Sequence, residues 1–261
     1  IWQADIAEPQ EMLPWIRGWG ADVEVLAPEG LRKELATTAT DLNRLYHRAA
    51  PTGKLPHHLP YAKTNPDNPK QIHLLLYHLI DVGQVARLMW QSVLTDSIRN
   101  RLADLLQLSV VEAGQFIAFV AALHDLGKAG PAYQKKYAPD WLRQDLTAAG
   151  FQLKSRSGEP AFDKTFPHAT VSTWILDTFL PEYLGLEARF AHQIAVAVGG
   201  HHGHWPPPLA TARLERESEA WDALRRDLFW EVQAVFRPPL EVVPPSNKTD
   251  LNTFLTLFSG L

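Results

Sequence analysis

The chain has 261 residues, 46% of them hydrophobic and 21% charged, with a formal net charge of −4 and no cysteine. That length supports a substantial buried core; the lack of cysteine excludes disulfides and thiolate metal ligands; and the acidic balance gives no global positive field, although a metal site would supply positive charge locally. No uninterrupted apolar run reaches the ~18 residues of a membrane span and no signal peptide is visible, so the expectation is a cytoplasmic protein with no membrane partner.

Residues 1–47 contain Trp15, Trp19, an alternating stretch over 22–26 that predicts a strand, and Leu31, Leu35, Leu42 and Leu45 at helical spacing. This reads as a small β-α segment. Residues 48–70 are rich in Pro, Asn, His and Gly without apolar periodicity, and predict a linker or long loop. From Ile72 onward helical patterns dominate, over 74–90, 98–106, 109–123, 169–179, 186–198 and 210–236. The breaks between them include His204–Pro208 and Pro238–Pro245. No parallel-sheet pattern and no internal repeat is visible. The expected fold is mainly α, a helical bundle over 71–261 with the β-α segment as an N-terminal extension. The chain begins at Ile1 and stops inside the apolar run LNTFLTLFSGL, which predicts a longer parent protein.

The histidines carry the chemistry. His78 lies in YHLIDVGQVA, His124 and Asp125 in ALHDLGK, His168 in FPHATVSTWIL, and His201 and His202 in VGGHHGH, each on or beside a predicted helix. Two-metal hydrolysis needs ions about 3.5–4 Å apart with a shared bridging ligand. Asp125 suits that role because a carboxylate has two oxygens. His124 and His78 would complete one ion's shell, and His168, His201 and His202 the other. Five imidazoles favour Mn, Fe, Co, Ni or Zn over Mg, which prefers oxygen ligands. Gly127 permits a close backbone approach. Lys128 can then direct its ammonium at a substrate phosphate. Asp125 and Lys128 are therefore the expected catalytic residues.

A single histidine on an apolar helix face is more often a hydrogen-bonded core residue, so the weight rests on the set. We assign Asp81 to bracing a helix, His192 to packing and His204 to shaping the turn before WPPP. His73 faces a similar side to His78 but lacks a motif. The bland alternative for Lys128 is a solvated residue near a helix end.

Four segments resemble the HD superfamily of metal-dependent phosphohydrolases, and more closely the HD nuclease domain of the helicase-nuclease of type I CRISPR systems. They are YAKTNP with HLLLYHLIDVGQVARLMW, FVAALHDLGKAGPAYQKK, FPHATVSTWIL, and AVAVGGHHGHWPP. The resemblance implies a single-stranded DNA nuclease with two metal ions. It implies a helicase module in cis or in trans, and a CRISPR RNA-guided surveillance complex as partner. His78, His124, Asp125, His168, His201 and His202 match the family's metal positions, and Lys128 its motif lysine. The family's last ligand is an aspartate in an Ala-Asp-Trp-like segment after an apolar helix. FLTLFSGL resembles that helix, and Asp222, Asp227 and Asp250 do not sit in the aspartate's context. The implied domain is therefore C-terminally truncated, with one ion's shell incomplete.

Residues 11–46 separately resemble the C-terminal end of WYL-domain transcriptional regulators, through Trp-Gly-x-x-Val-x-Val-Leu-x-Pro followed by a helix. Two other functions stay open. One is an HD phosphohydrolase acting on nucleotides; its cyclic-dinucleotide branch expects Gly-Tyr-Pro after the His-His pair, where this chain reads HHGHWPPP. The other is a non-catalytic regulatory or interaction protein, suggested by the N-terminal segment. His204, Trp205 and Tyr133 offer either base stacking or ordinary packing.

Overall fold

The computed structural model describes residues 25–35, 59–65, 68–153, 167–203, 219–247 and 254–255. The chain divides into two compact units, 1–53 and 54–261. Of the first, residues 29–35 are helical and Leu31 is buried. Residues 22–24 of the expected strand and 36–46 of the expected helix lie outside the described residues, as do His204, Trp205 and Asp250, while residues 25 and 26 are not in a strand.

The second unit opens with an antiparallel hairpin, β1 (Tyr61–Asn65) and β2 (Asn68–Leu74). Tyr61 faces Leu74, Lys63 faces His73, Thr64 faces Ile72 and Asn65 faces Asn68, with register shifts at both ends. The linker expected over 48–70 therefore runs into ordered sheet. Its Pro- and Asn-rich composition hid the strands because so short a hairpin shows almost no alternation. The Leu75 amide donates to the Pro60 carbonyl at 2.7 Å, which pins the start of the first bundle helix.

That helix, α1 (Leu75–Ser92), buries Leu75, His78, Leu79, Gly83, Ala86 and Trp90 along one stripe. The 3–4 residue spacing is that of a single helix face. After α2 (Asp96–Leu106), α3 (Val110–Ala122) starts at a capping box: the Ser109 hydroxyl accepts from the Glu112 amide, and the Glu112 carboxylate accepts from the Ser109 amide. Residues 113, 114 and 116–122 of α3 are all buried, so it runs through the core rather than over it. With the turn that follows, Val110–Lys128 is apolar and long enough to cross a membrane by composition, yet 72% of its most apolar window is buried in the bundle. The expectation that no stretch would reach that length overlooked this one, because Glu112 interrupts the apolar run. Its hydrophobicity serves the core.

A 3₁₀ turn over Leu123–Lys128 carries His124, Asp125, Gly127 and Lys128. Two short helices follow, α4 (Pro131–Tyr137) and α5 (Asp140–Ala148). Neither was anticipated, since each is too short to establish a helical period. Then come α6 (His168–Leu184), which ends at Gly185 in the left-handed region (φ 71°), and α7 (Ala188–Gly199), capped by Glu187. A 3₁₀ turn over Gly200–His202 carries the paired histidines. The last long helix, α8 (Glu219–Phe236), buries Trp221, Leu224, Leu228, Phe229, Val232 and Phe236.

The helix α1 packs on α3, α6 on α7 and on the Leu123–Lys128 turn, and α8 closes over α1 and α3. Two close approaches fix this arrangement. A Cβ at Gly83 would lie 2.3 Å from the Phe236 ring, and one at Gly114 would lie 2.6 Å from the Trp90 indole nitrogen. Phe229 gathers Phe119, Tyr183 and Phe179 at ring separations of 5.3, 5.5 and 5.6 Å. Among the described residues the result is mainly α, as the periodicities indicated, with one small sheet that they did not reveal.

Candidate metal centre

The core ends at the turn after α3, and the site is built there. Asp125 is 3% exposed, and both its oxygens are crowded by nitrogen. Oδ2 lies 2.8 Å from His78 Nε2, 3.0 Å from His124 Nε2 and 2.7 Å from Lys128 Nζ. Oδ1 lies 3.0 Å from His168 Nε2 and 3.6 Å from His201 Nε2. His202 Nε2 sits 2.9 Å from His168 Nε2. All six predicted ligands thus meet, from α1, the first 3₁₀ turn, the N-terminus of α6 and the second 3₁₀ turn.

Their side-chain chemistry fits divalent cations. His124 donates Nδ1–H to the Ala121 carbonyl at 3.1 Å, and His201 donates Nδ1–H to the Val198 carbonyl at 2.7 Å. A carbonyl only accepts, so in each neutral ring Nε2 must be the bare lone pair. Both lone pairs then face a carboxylate, which is repulsive unless a cation or proton lies between. Asp125 Oδ1 and His201 Nε2 are also buried without a hydrogen-bond partner. Fixing the far ring nitrogen on a backbone carbonyl is how proteins orient metal-binding histidines. Two groups could each hold an ion: His78, His124 and Asp125, and Asp125, His168, His201 and His202. They share only Asp125. Among the described residues, no other carboxylate joins either group.

Protonation favours the same use. Burial pushes the Asp125 carboxyl up, but the approach of His124, His168, His201 and His78 outweighs it and holds the group ionised, well below the usual carboxylate range. Burial lowers His78 below an ordinary imidazole, against the opposing pull of Asp125. Burial and repulsion from His201 and His168 likewise lower His202. Neutral imidazoles are the ligand form.

Gly127 makes the assembly possible. Its amide donates to Ser172 Oγ at 2.8 Å, and a Cβ there would lie 2.1 Å from the His168 carbonyl oxygen. The close backbone approach read from the sequence is therefore against the first turn of α6. Lys128 is not a solvated lysine: it is 5% exposed, pairs with Asp125, and reaches the Ala62 carbonyl at 3.5 Å.

Gln134 and Arg225 escaped the sequence reading as positioning groups, and Tyr133 was singled out there only for stacking or packing. Gln134, fully buried, accepts from the Tyr61 amide and donates Nε2–H to the Tyr61 and Lys128 carbonyls, at 2.8–2.9 Å. It ties the hairpin to the turn. Tyr133 donates to the Ala62 carbonyl at 2.7 Å, and its ring stands 5.2 Å from that of His168. Buried Arg225 donates to the Ala129 carbonyl at 2.7 Å, bracing the same turn from α8. No local pattern marks these residues, because each acts on a backbone atom far away in sequence.

The remaining candidates lie elsewhere. Asp81 pairs with His73 at 2.9 Å across β2 and α1, which agrees with a bracing role. His192 does not pack in the interior but pairs with Asp177 at 2.9 Å on the surface. Asp222 pairs with Arg225 within α8.

A helical bundle that gathers imidazoles from four elements around the aspartate of a His-Asp pair defines the HD class of metal-dependent phosphohydrolases. Residues 61–261 match the family described as "Cas3, HD domain", and residues 1–42 match the "WCX domain", a WYL-associated family. The chain belongs to the Cas3 HD domain family. It is 40% identical over 218 residues to the "CRISPR-associated endonuclease/helicase Cas3" of Escherichia coli (strain K12), covering 73% of this chain and 23% of that one. It is 29% identical over 182 residues to the protein so named in Thermus thermophilus, covering 67% and 18%. The chain thus spans about a fifth of the length of these curated relatives. Among solved structures, the Thermus thermophilus cas3 HD domain in the presence of Ni2+ superposes with a TM-score of 0.55 at 25% identity, covering 78% of this chain and 74% of that one. A structure described only as a CRISPR-associated protein gives a TM-score of 0.67 at 28% identity, covering 81% and 23%.

Proposed function

We propose that this chain is a nuclease module that cleaves single-stranded DNA in CRISPR interference, using two divalent transition-metal ions that share Asp125. The observation that carries this reading is the pair of ligand groups with Asp125 as their one common member. His78 and His124 would hold one ion with Asp125; His168, His201 and His202 would hold the other. The imidazole-rich set favours Mn, Fe, Co, Ni or Zn, and the relative crystallised with Ni2+ agrees.

When bound, the ions supply positive charge and Lewis acidity to the phosphodiester and the attacking water. The chain's own residues do the rest. Asp125 stays ionised and fixes the spacing of its neighbours. The Ala121 and Val198 carbonyls hold His124 and His201 in the tautomer that presents Nε2. Lys128 neutralises Asp125 from the hairpin side, and its ammonium would be the contact for a phosphate oxygen. Tyr133, Ala62 and Gln134 keep that ammonium in position. The relatives are named as nuclease/helicase proteins, so a helicase module in cis or in trans, and a CRISPR RNA-guided surveillance complex, are the proposed partners. A cytoplasmic location goes with them.

The test is incubation of the Ni2+- or Mn2+-loaded chain with circular single-stranded DNA. Cutting without free ends, abolished in Asp125→Ala, is the expected result. Turnover of mononucleotides alone would favour a nucleotide phosphohydrolase, and no turnover by a metal-loaded chain joined to its neighbouring modules would favour a regulatory role.

A further inference from the structure

We propose that Tyr137, with Lys136 beside it, is a stacking platform for an unpaired base of the strand being cut. The inference rests on the nuclease reading above and adds a binding residue to it.

The metal ligands continue outward as a series of rings. Tyr133 stands 5.2 Å from His168, and Tyr137 stands 4.8 Å from Tyr133. These two steps carry the series from a ligand to the protein surface, within the reach of a few nucleotides at about 3.4 Å or more each. Tyr133 is already used: its hydroxyl is bonded to Ala62 and its ring lies against His168, Tyr61 and Lys128. Tyr137, one helical turn on, is 48% exposed, and its ring meets Tyr133 and the flexible Lys136 side chain.

An exposed aromatic would be unremarkable on an irregular loop, but this one ends a helix whose backbone is tied down. Buried Gln134 fastens α4 to both the hairpin and the Lys128 carbonyl. The Ala138 amide closes the helix on the Gln134 carbonyl at 3.0 Å. Tyr137 therefore keeps a fixed place relative to the metal ligands, as a base platform must. Lys136 holds its ammonium over the Tyr137 ring, 4.8 Å from the centroid; a stacking base would displace it, and its long side chain would then reach the adjoining phosphate. Trp141, at the start of α5, exposes a second large ring nearby in sequence. Arg143 contributes no free charge, since Asp140 and the Lys135 and Ala138 carbonyls hold it.

Every base offers a π-face, so such a platform accepts any sequence, provided that the base is unpaired. A duplex keeps its bases stacked inside and cannot use it. The site would thus select single strands without reading sequence.

Steady-state cleavage by the full Ni2+-loaded chain tests this, using a base-bearing oligonucleotide and an otherwise identical abasic one. Tyr137→Ala should raise KM for the base-bearing strand by roughly 5- to 150-fold, the range for losing one base-aromatic stack. On the abasic strand the variant and the wild type should coincide, which a merely structural role for Tyr137 would not produce. Tyr137→Phe should restore the wild-type KM. Lys136→Ala should flatten the salt dependence by about 0.7 in log-log slope. An unchanged KM in Tyr137→Ala overturns the platform while leaving the nuclease intact. An equal loss on both strands also overturns it. A wild-type chain that cuts neither strand refutes the nuclease reading itself.

Discussion

Replacing Gly127 by alanine should disable the metal centre without touching a ligand. The added Cβ would lie 2.1 Å from the His168 carbonyl oxygen and 2.5 Å from the Ser172 amide nitrogen, where real Cβ contacts essentially never fall below 3.0 Å. Both obstacles are backbone, so no side chain can swing aside. Reaching even 3.0 Å requires the turn and the first residues of α6 to separate by about 0.9 Å, the difference between 3.0 and 2.1 Å. Overpacking of this kind costs about 1–3 kcal/mol, and losing the Gly127–Ser172 hydrogen bond costs about 1 kcal/mol more. For a domain of this size, that lowers Tm by roughly 4–16 °C, at about 2–4 °C per kcal/mol. His168 sits on the displaced turn, and a shift of about 1 Å at a reacting site can cost 100-fold in rate. Calorimetry, metal equivalents per chain by elemental analysis, and cleavage of single-stranded DNA together measure the effect. Ser172→Ala removes the hydrogen bond but not the close approach, and should be much milder. A Gly127→Ala chain with wild-type Tm and full metal content would refute this account of why glycine stands there.

If the chain holds the two ions proposed above, His202→Ala and His78→Ala should each lower the metal content toward one, by removing a ligand from different groups; equal binding of two ions by either variant counts against its assignment. Gly83→Ala should destabilise the bundle by about 1–3 kcal/mol through overpacking, because its Cβ meets the Phe236 ring and Ala122, while metal content in the folded fraction stays at the wild-type value. The Ser109 hydroxyl and amide hold the Glu112 carboxyl below its ordinary 4.5. The folded value is the lower one, so this contribution is full above pH 4.5 and fades as pH falls through the depressed value. The stability difference between wild type and Glu112→Gln should therefore shrink on acidification, and a difference that grows would contradict the capping box.

The sequence by itself determined the candidate ligands and the helices that carry most of them. Long periodic stretches such as 74–90 and 109–123 declare an apolar face whatever they pack against, so their type could be read locally. The histidine motifs were legible for a related reason: a His-Asp pair followed by Leu-Gly-Lys is a local signature. Tertiary structure alone decided what these parts do together. The sharing of Asp125 between two groups depends on four elements meeting at the end of α3, and no spacing along the chain encodes that distance. The hairpin over 61–74 and the helices α4 and α5 are too short to show a period, and are held by Gln134, Tyr133 and Arg225 through backbone atoms remote in sequence. The fate of Lys128 was settled in the same way. Its burial against Asp125 follows from the hairpin closing over it, a long-range contact whose partner is the carbonyl of Ala62, and a carbonyl leaves no trace in the identity of its residue.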